Sequence, residues 1–114
     1  MERIVVGFDG SGQKAPERAA EVADGATLAV VCAAEARTAA LATARSFLDQ
    51  RGIEAVYIEG HGNPADVLVQ EAEESGADLI VVGTRGLNAA RRLVLGSVST
   101  NVVQHAPCDV LVVR

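Results

Sequence analysis

The stretch "NPADVLVQEAEESGADLIVVG", Asn63 to Gly83, predicts a helix followed by a buried strand. Asn63 suits a helix N-cap, Pro64 suits the first helical position, and Gly76 suits the helix end. Between them, apolar side chains recur at helical spacing, at Ala65, Leu68, Val69 and Ala72. A strand is predicted at Asp78–Gly83, where Leu79 to Val82 form a continuous apolar run, as expected of a strand covered on both faces. A helix leading into such a strand is typical of a parallel α/β sheet.

The same alternation continues on both sides of this stretch. Further strands are predicted at Arg3–Phe8, Thr27–Ala34, Glu54–Glu59 (alternating, hence more exposed) and Asp109–Arg114. Further helices are predicted at Ala15–Ala23, around Ala40–Arg51 before Gly52, and from a Ser97 cap to about His105 before Pro107. We therefore expect one α/β domain over residues 1–114, a single open, doubly wound parallel five-stranded sheet with helices on both faces. The expected strand order is 3-2-1-4-5.

Composition narrows the classes of function. The net charge is -5 and only three residues are aromatic, which argues against general binding of nucleic acid or anionic membranes. The N-terminal apolar run is too short for a secretory signal or a membrane span, so a cytoplasmic location is expected. Cys32 and Cys108 lack metal-ligand spacing and are expected to be reduced, packed thiols, with a disulfide or redox role as the alternative.

Positive charge and glycine gather in one segment, from Val81 to Val103, which holds three glycines, three arginines and no acidic residue. In an open parallel sheet, ligands bind at the carboxyl ends of strands where the winding reverses, here between strands one and four. Glycine N–H groups can point at oxygens there, and a helix start at Gly96-Ser97 favours an anion. Ser97 and Ser99 add hydroxyl donors, and Arg85, Arg91 and Arg92 add positive charge that can fork onto phosphate. The alternative to a phosphate site is that Gly83 and Gly86 form only a tight turn, Gly96-Ser97 is an ordinary helix start, and Arg91 and Arg92 lie on a solvated helix face.

The segment "GTRGLNAARRLVLGS", from Gly83 to Ser97, reads G-x2-G-x9-G-S. It resembles the nucleotide-binding signature of the ATP-binding branch of the universal stress protein family. The stretches "IVVGFDGS" (4–11) and "LGSVSTNVVQHAPCDVLVVR" (95–114) resemble the family's first strand and its C-terminal region. Walker and Rossmann phosphate-binding motifs are both absent.

The resemblance implies an adenine nucleotide site and a dimer. It implies contacts to base and ribose from Gly7, Phe8 and Asp9, to adenine from Ala33 (or Cys32 or Ala34 if the alignment shifts by one), and to ribose and phosphates from Val82, Gly83, Gly86, Gly96, Ser97, Val98 and Ser99. The ligand would be ATP, ADP or AMP, with or without Mg²⁺ held mainly by the phosphates. The family is typically dimeric, which implies pairing through Asp109–Arg114.

The chain departs from the family in the short connection between strand two and helix two, whose longer counterpart often covers part of the nucleotide. The short connection would give a more open pocket, a lower affinity, or a site completed by a partner subunit.

Few residues suit hydrolysis, because Asp9 is expected near the sugar, His61 in an exposed loop and His105 at the opposite end of the sheet. We therefore expect a nucleotide-dependent stress-response protein with slow or no hydrolysis; a slow ATPase and a scaffold without nucleotide are the alternatives.

Overall fold

The computed structural model describes residues 2–10, 13–33, 36–83 and 96–114 of the chain. The strands are β1 (Arg3–Gly7), β2 (Thr27–Cys32), β3 (Ala55–Glu59), β4 (Leu79–Gly83) and β5 (Asp109–Val113). The helices are α1 (Lys14–Ala23), α2 (Arg37–Gln50), α3 (Pro64–Ser75) and α4 (Ser97–His105). None of these helices is both long and apolar enough to cross a bilayer.

The five strands form one parallel sheet in the order β3-β2-β1-β4-β5, which confirms the predicted topology. At the centre, Val5 of β1 lies between Ala29 of β2 and Ile80 of β4. Because β1 and β4 pair in parallel, their carboxyl ends lie side by side, and the winding direction reverses between them. The predicted strands exceed the observed ones by one or two residues. At β1 and β2 the apolar sequence continues past the last paired residue, whereas at β3, β4 and β5 the extra residue is a charged one that flanks the strand.

Helices cover both faces of the sheet. Successive side chains of a strand point to opposite faces, so Ile4, Val6 and Phe8 pack on the side of α1 and α2. Val5 points the other way, into the core formed with α3 and α4. The two edge strands are less covered: Val56 of β3 is 41% exposed, and residues 110–113 of β5 are half-buried.

The helix ends show where sequence signals succeed and fail. The Asn63 side chain accepts a hydrogen bond from the Asp66 N–H at 3.2 Å, and Gly76 ends α3 with φ 66°, both as predicted. The prediction that Ser97 caps α4 is wrong. Gly96 is the N-cap residue, since its backbone is extended and its carbonyl accepts from the Thr100 N–H at 3.0 Å.

At the amino edge of the sheet, one carboxylate joins the starts of two strands. Oδ2 of Asp78, just before β4, accepts hydrogen bonds from the N–H groups of Glu2 at 2.7 Å and Arg3 at 3.1 Å. These bonds favour the charged carboxylate, so the Glu2 amide, followed by the Arg3 amide, lowers the pKa of Asp78. The exposed carboxylate therefore stabilises the β1–β4 pairing in its ionised form.

Replacing Asp78 by asparagine is expected to destabilise the chain at pH 7 and to matter much less in acid. A carboxyl whose pKa is lowered on folding adds stability above its unfolded pKa, and that contribution disappears as pH falls through the folded pKa. Urea denaturation of wild type and Asp78→Asn at pH 7 and pH 3 measures the difference in their free energies of unfolding. Glu73→Gln, at an exposed carboxylate of α3, is the control. If the difference in free energy of unfolding between wild type and Asp78→Asn stays constant or grows in acid, Asp78 does not have this role.

Candidate functional site at the carboxyl edge of the sheet

The carboxyl ends of β1 and β4 meet in close backbone contact. Val6 pairs with Val81, which places Gly7 beside Val82 and near Gly83. A Cβ built on Gly7 would lie 3.1 Å from Cγ1 of Val82 and 2.8 Å from Cδ1 of Leu68. A side chain at this position would therefore displace the Leu68 side chain of α3, which packs directly against the strand end. Three of the predicted site residues are thus together at this edge.

The turn after β1 presents its backbone and one carboxylate. The Phe8 N–H donates to the Val31 carbonyl at 3.0 Å, and the Phe8 side chain is 6% exposed within the core beneath α1 and α2. Asp9 is exposed at the rim. Gly10 follows with φ 86°, a conformation that favours glycine. Asp9 is therefore the side chain of this turn best placed to meet a ligand.

The ends of β2 and β3 form the next part of the edge. The Gly60 N–H donates to the Cys32 carbonyl at 2.8 Å, so the segment after β3 stays hydrogen-bonded to β2 for one residue beyond the end of β3. A Cβ on Gly60 would lie 3.5 Å from the Ala33 Cβ and 2.6 Å from Cγ1 of Val67. Ala33 is half-buried there. The sequence analysis missed Gly60, although a glycine directly after a predicted strand was the available signal.

The start of α4 provides the helix N-terminus at the site. The first N–H groups of a helix have no acceptor within it, so they can bind an anion. Ser97 is exposed at the first helical position, and Val98 packs into the core between the sheet and α3. Ser99 is 1% exposed, and its hydroxyl donates to the Gly96 carbonyl at 3.1 Å. Ser97 is therefore the accessible hydroxyl, while that of Ser99 bonds to its own helix.

Several predicted residues lie outside the described part of the chain. These are Ala34, Arg85, Gly86, Arg91 and Arg92. Within the described ranges, no group of three or more histidine, cysteine, aspartate or glutamate side chains is arranged to hold a metal ion.

The two histidines lie at opposite ends of the sheet. His61 is exposed just after β3, at the carboxyl edge. His105 is exposed at the last residue of α4, and its Nδ1 lies 2.9 Å from the Asn101 carbonyl oxygen. Of the two, only His61 lies on the edge that carries the candidate site.

Both cysteines are free thiols. Cys32 is buried at the carboxyl end of β2, while Cys108 is half-buried just before β5 at the amino edge. Burial, followed by the negative charges of Asp109 and Asp78, raises the pKa of the Cys108 thiol. Cys108 is therefore neutral at physiological pH, and neither cysteine bonds to the other.

Comparison with known proteins identifies close structural relatives. Residues 22–114 match the sequence model of the universal stress protein family. A solved universal stress protein in complex with cAMP is 35% identical, with a TM-score of 0.84 over 99% of this chain and 96% of that chain. The universal stress protein from Archaeoglobus fulgidus in complex with dAMP is 25% identical, with a TM-score of 0.79 over 100% of this chain and 98% of that chain.

A curated relative matches over a shorter stretch. A Staphylococcus aureus protein named as a universal stress protein is 56% identical over 54 residues, which is 46% of this chain. The matched stretch spans 32% of that relative, or about a third of its length.

Proposed function

Because this chain belongs to the universal stress protein family, we propose that it binds ATP or another adenine nucleotide and acts as a nucleotide-dependent stress-response dimer. One observation carries the proposal: Gly7 and Val82 lie side by side at the carboxyl edge where the sheet reverses its winding. Two relatives of the same fold are described in complex with cAMP and dAMP, which supports an adenine nucleotide as the ligand.

The phosphates are assigned to the start of α4. Backbone N–H groups there carry the positive end of the helix dipole, and the exposed Ser97 hydroxyl can donate to a phosphate oxygen. The first turn of α4 contains no acidic residue to oppose an anion. Arg85 and Gly86 are proposed to complete this half of the site by charge and by close backbone approach. Mg²⁺ would enter with the phosphates, with the Ser97 hydroxyl as an additional ligand.

The nucleoside is assigned to the ends of β1 and β2. The exposed carboxylate of Asp9 can accept hydrogen bonds from ribose hydroxyls or from the adenine amino group. Ala33 offers a small apolar side chain beside Gly60, where a flat base can approach the backbone. Phe8 contributes its backbone only, since its side chain lies in the core.

The same arrangement favours binding over fast turnover. Hydrolysis needs a group that positions water or accepts its proton near the terminal phosphate. The first turn of α4 has no acidic residue, and Asp9 is assigned to the nucleoside. The dimer is proposed to form through β5, an edge strand whose residues 110–113 are half-buried and apolar.

Calorimetric titration of ATP and Mg²⁺ into nucleotide-stripped protein tests this function. We expect binding, phosphate release slower than about 1 per second, and a dimer by sedimentation of the same sample. Ser97→Ala is expected to weaken ATP binding roughly tenfold to a hundredfold, because a hydrogen bond to a charged group contributes about 1.5–3 kcal/mol. No heat from ATP with the wild-type chain would contradict the proposed function.

Ser75→Ala is the matched control for Ser97→Ala. The Ser75 hydroxyl donates to the Glu71 carbonyl at 2.8 Å in the last turn of α3, at the opposite edge of the sheet. Its loss should leave ATP affinity unchanged. If the two serine variants bind ATP equally well, the assignment of the phosphates to Ser97 is wrong.

A further inference from the structure

A hydrogen bond joins the start of α2 to the end of β3. Oγ1 of Thr38, in the first turn of α2, donates to Oε2 of Glu59, the last residue of β3, at 2.9 Å. Both residues are exposed. Glu59 pairs with Cys32 in the sheet, one residue before Ala33. The bond therefore lies beside the part of the edge assigned to the base.

The same turn of α2 also lies close to the turn after β1. The Gly10 backbone has φ 86°, and a Cβ built there would lie 3.2 Å from the Ala40 Cβ. The start of α2 thus rests against the turn after β1 and is bonded to the end of β3. Strand β2 lies between these two strands, so the first turn of α2 borders the edge beside Ala33.

The start of α2 has no side-chain N-cap. Ala36 occupies the N-cap position and makes no side-chain capping bond, and the first turn contains no acidic residue. Glu59 supplies from β3 the negative charge that a helix N-terminus favours. The Thr38–Glu59 bond is therefore a contact from another element that holds this uncapped turn.

We propose that Thr38 and Glu59 are positioning residues for the base side of the nucleotide site. Their hydrogen bond holds the first turn of α2 as a wall beside Ala33, in the place where a short connection follows β2. The wall contacts the base of a bound nucleotide and excludes water from it, but does not touch the phosphates at α4. This inference rests on the proposed function and adds the residues that determine recognition of the base.

The test compares ATP with inorganic tripolyphosphate, which has the phosphates without the nucleoside. Thr38→Val removes the hydroxyl and nearly preserves the side-chain shape. ATP binding to this variant is expected to weaken roughly threefold to tenfold, the range that corresponds to one net hydrogen bond. The dissociation constant for tripolyphosphate should not change. Thr38→Ser, which keeps the hydroxyl, should restore the affinity for ATP.

Thr43→Val is the matched control on the same helix. The exposed Thr43 hydroxyl donates to the Ala39 carbonyl at 3.1 Å within α2, so its loss removes a hydrogen bond but no link to β3. This variant should bind both ligands as wild type does. The proposal is overturned if Thr38→Val binds ATP normally, or if it loses affinity for both ligands equally. A wild-type chain that does not bind ATP would overturn the proposed function, and this inference with it.

Discussion

Replacing Phe8 by alanine is expected to lower the free energy of unfolding by about 3–5 kcal/mol. The Phe8 side chain is 6% exposed and belongs to the core cluster under α1 and α2, where its removal leaves a cavity that the β1 backbone cannot fill. Urea denaturation of wild type and Phe8→Ala measures the loss. A difference below about 1 kcal/mol, less than a buried aromatic should cost, would mean that the ring is not in the core.

Phe8→Leu separates the packing role of Phe8 from a role in binding the ligand. Leucine keeps most of the buried apolar volume, so stability should fall by less than about 1.5 kcal/mol. ATP affinity should stay close to that of wild type, since the contribution of Phe8 to the edge is its backbone, fixed by the bond to the Val31 carbonyl. A stable Phe8→Leu protein with much weaker ATP binding would instead assign the ring to the base.

The fold could be predicted because each strand and helix carries its own local signal. The apolar run of β4 and the Asn63 cap of α3 specify their elements without any distant contact. Helix ends without a side-chain cap are harder to predict. The start of α2 at Arg37 precedes the apolar stripe, and the α4 cap is a glycine whose role depends on backbone angles.

Several structural features of the candidate site could not be predicted from the sequence, because they depend on tertiary contacts. The family resemblance implied Gly7, Val82 and Gly83, and the strand order brings them to one edge because their strands are neighbours. The direction of the Phe8 side chain, into the core, is set by the pleat of the strand. The hydrogen bond from the Ser99 hydroxyl to the Gly96 carbonyl is set by the side-chain rotamer of Ser99.

Hydrogen-bonded side-chain pairs that are far apart in the chain also could not be predicted from sequence patterns. The bond between Thr38 and Glu59 joins residues 21 positions apart. No local spacing rule connects a helix start to the end of the next strand. Such a pair is found only once the sheet and the helices above it have been assembled.

Gly7→Ala is expected to destabilise the chain by about 1–3 kcal/mol, as overpacking of a well-filled core does. The new methyl group would lie 2.8 Å from Cδ1 of Leu68 and 3.1 Å from Cγ1 of Val82, so the Leu68 side chain, or α3 or β4 with it, must shift at the edge that carries the site. Shortening Leu68 to alanine costs about 2–5 kcal/mol alone, but it removes the main clash. Denaturation of both single variants and the double variant measures whether their effects add.

The double variant is therefore expected to be more stable than the sum of the two single losses implies, by about 0.5–3 kcal/mol. Gly76→Ala is the control: Gly76 has φ 66° and nothing within 4 Å of a Cβ placed there, so its cost comes from the backbone conformation. That cost should simply add to the cost of Leu68→Ala. If Gly7→Ala and Leu68→Ala are equally additive, contact between α3 and the end of β1 is not what requires glycine at this edge. If they couple as expected, the backbone at Gly7 is held against α3, and ATP affinity should fall in Gly7→Ala and recover in part in the double variant.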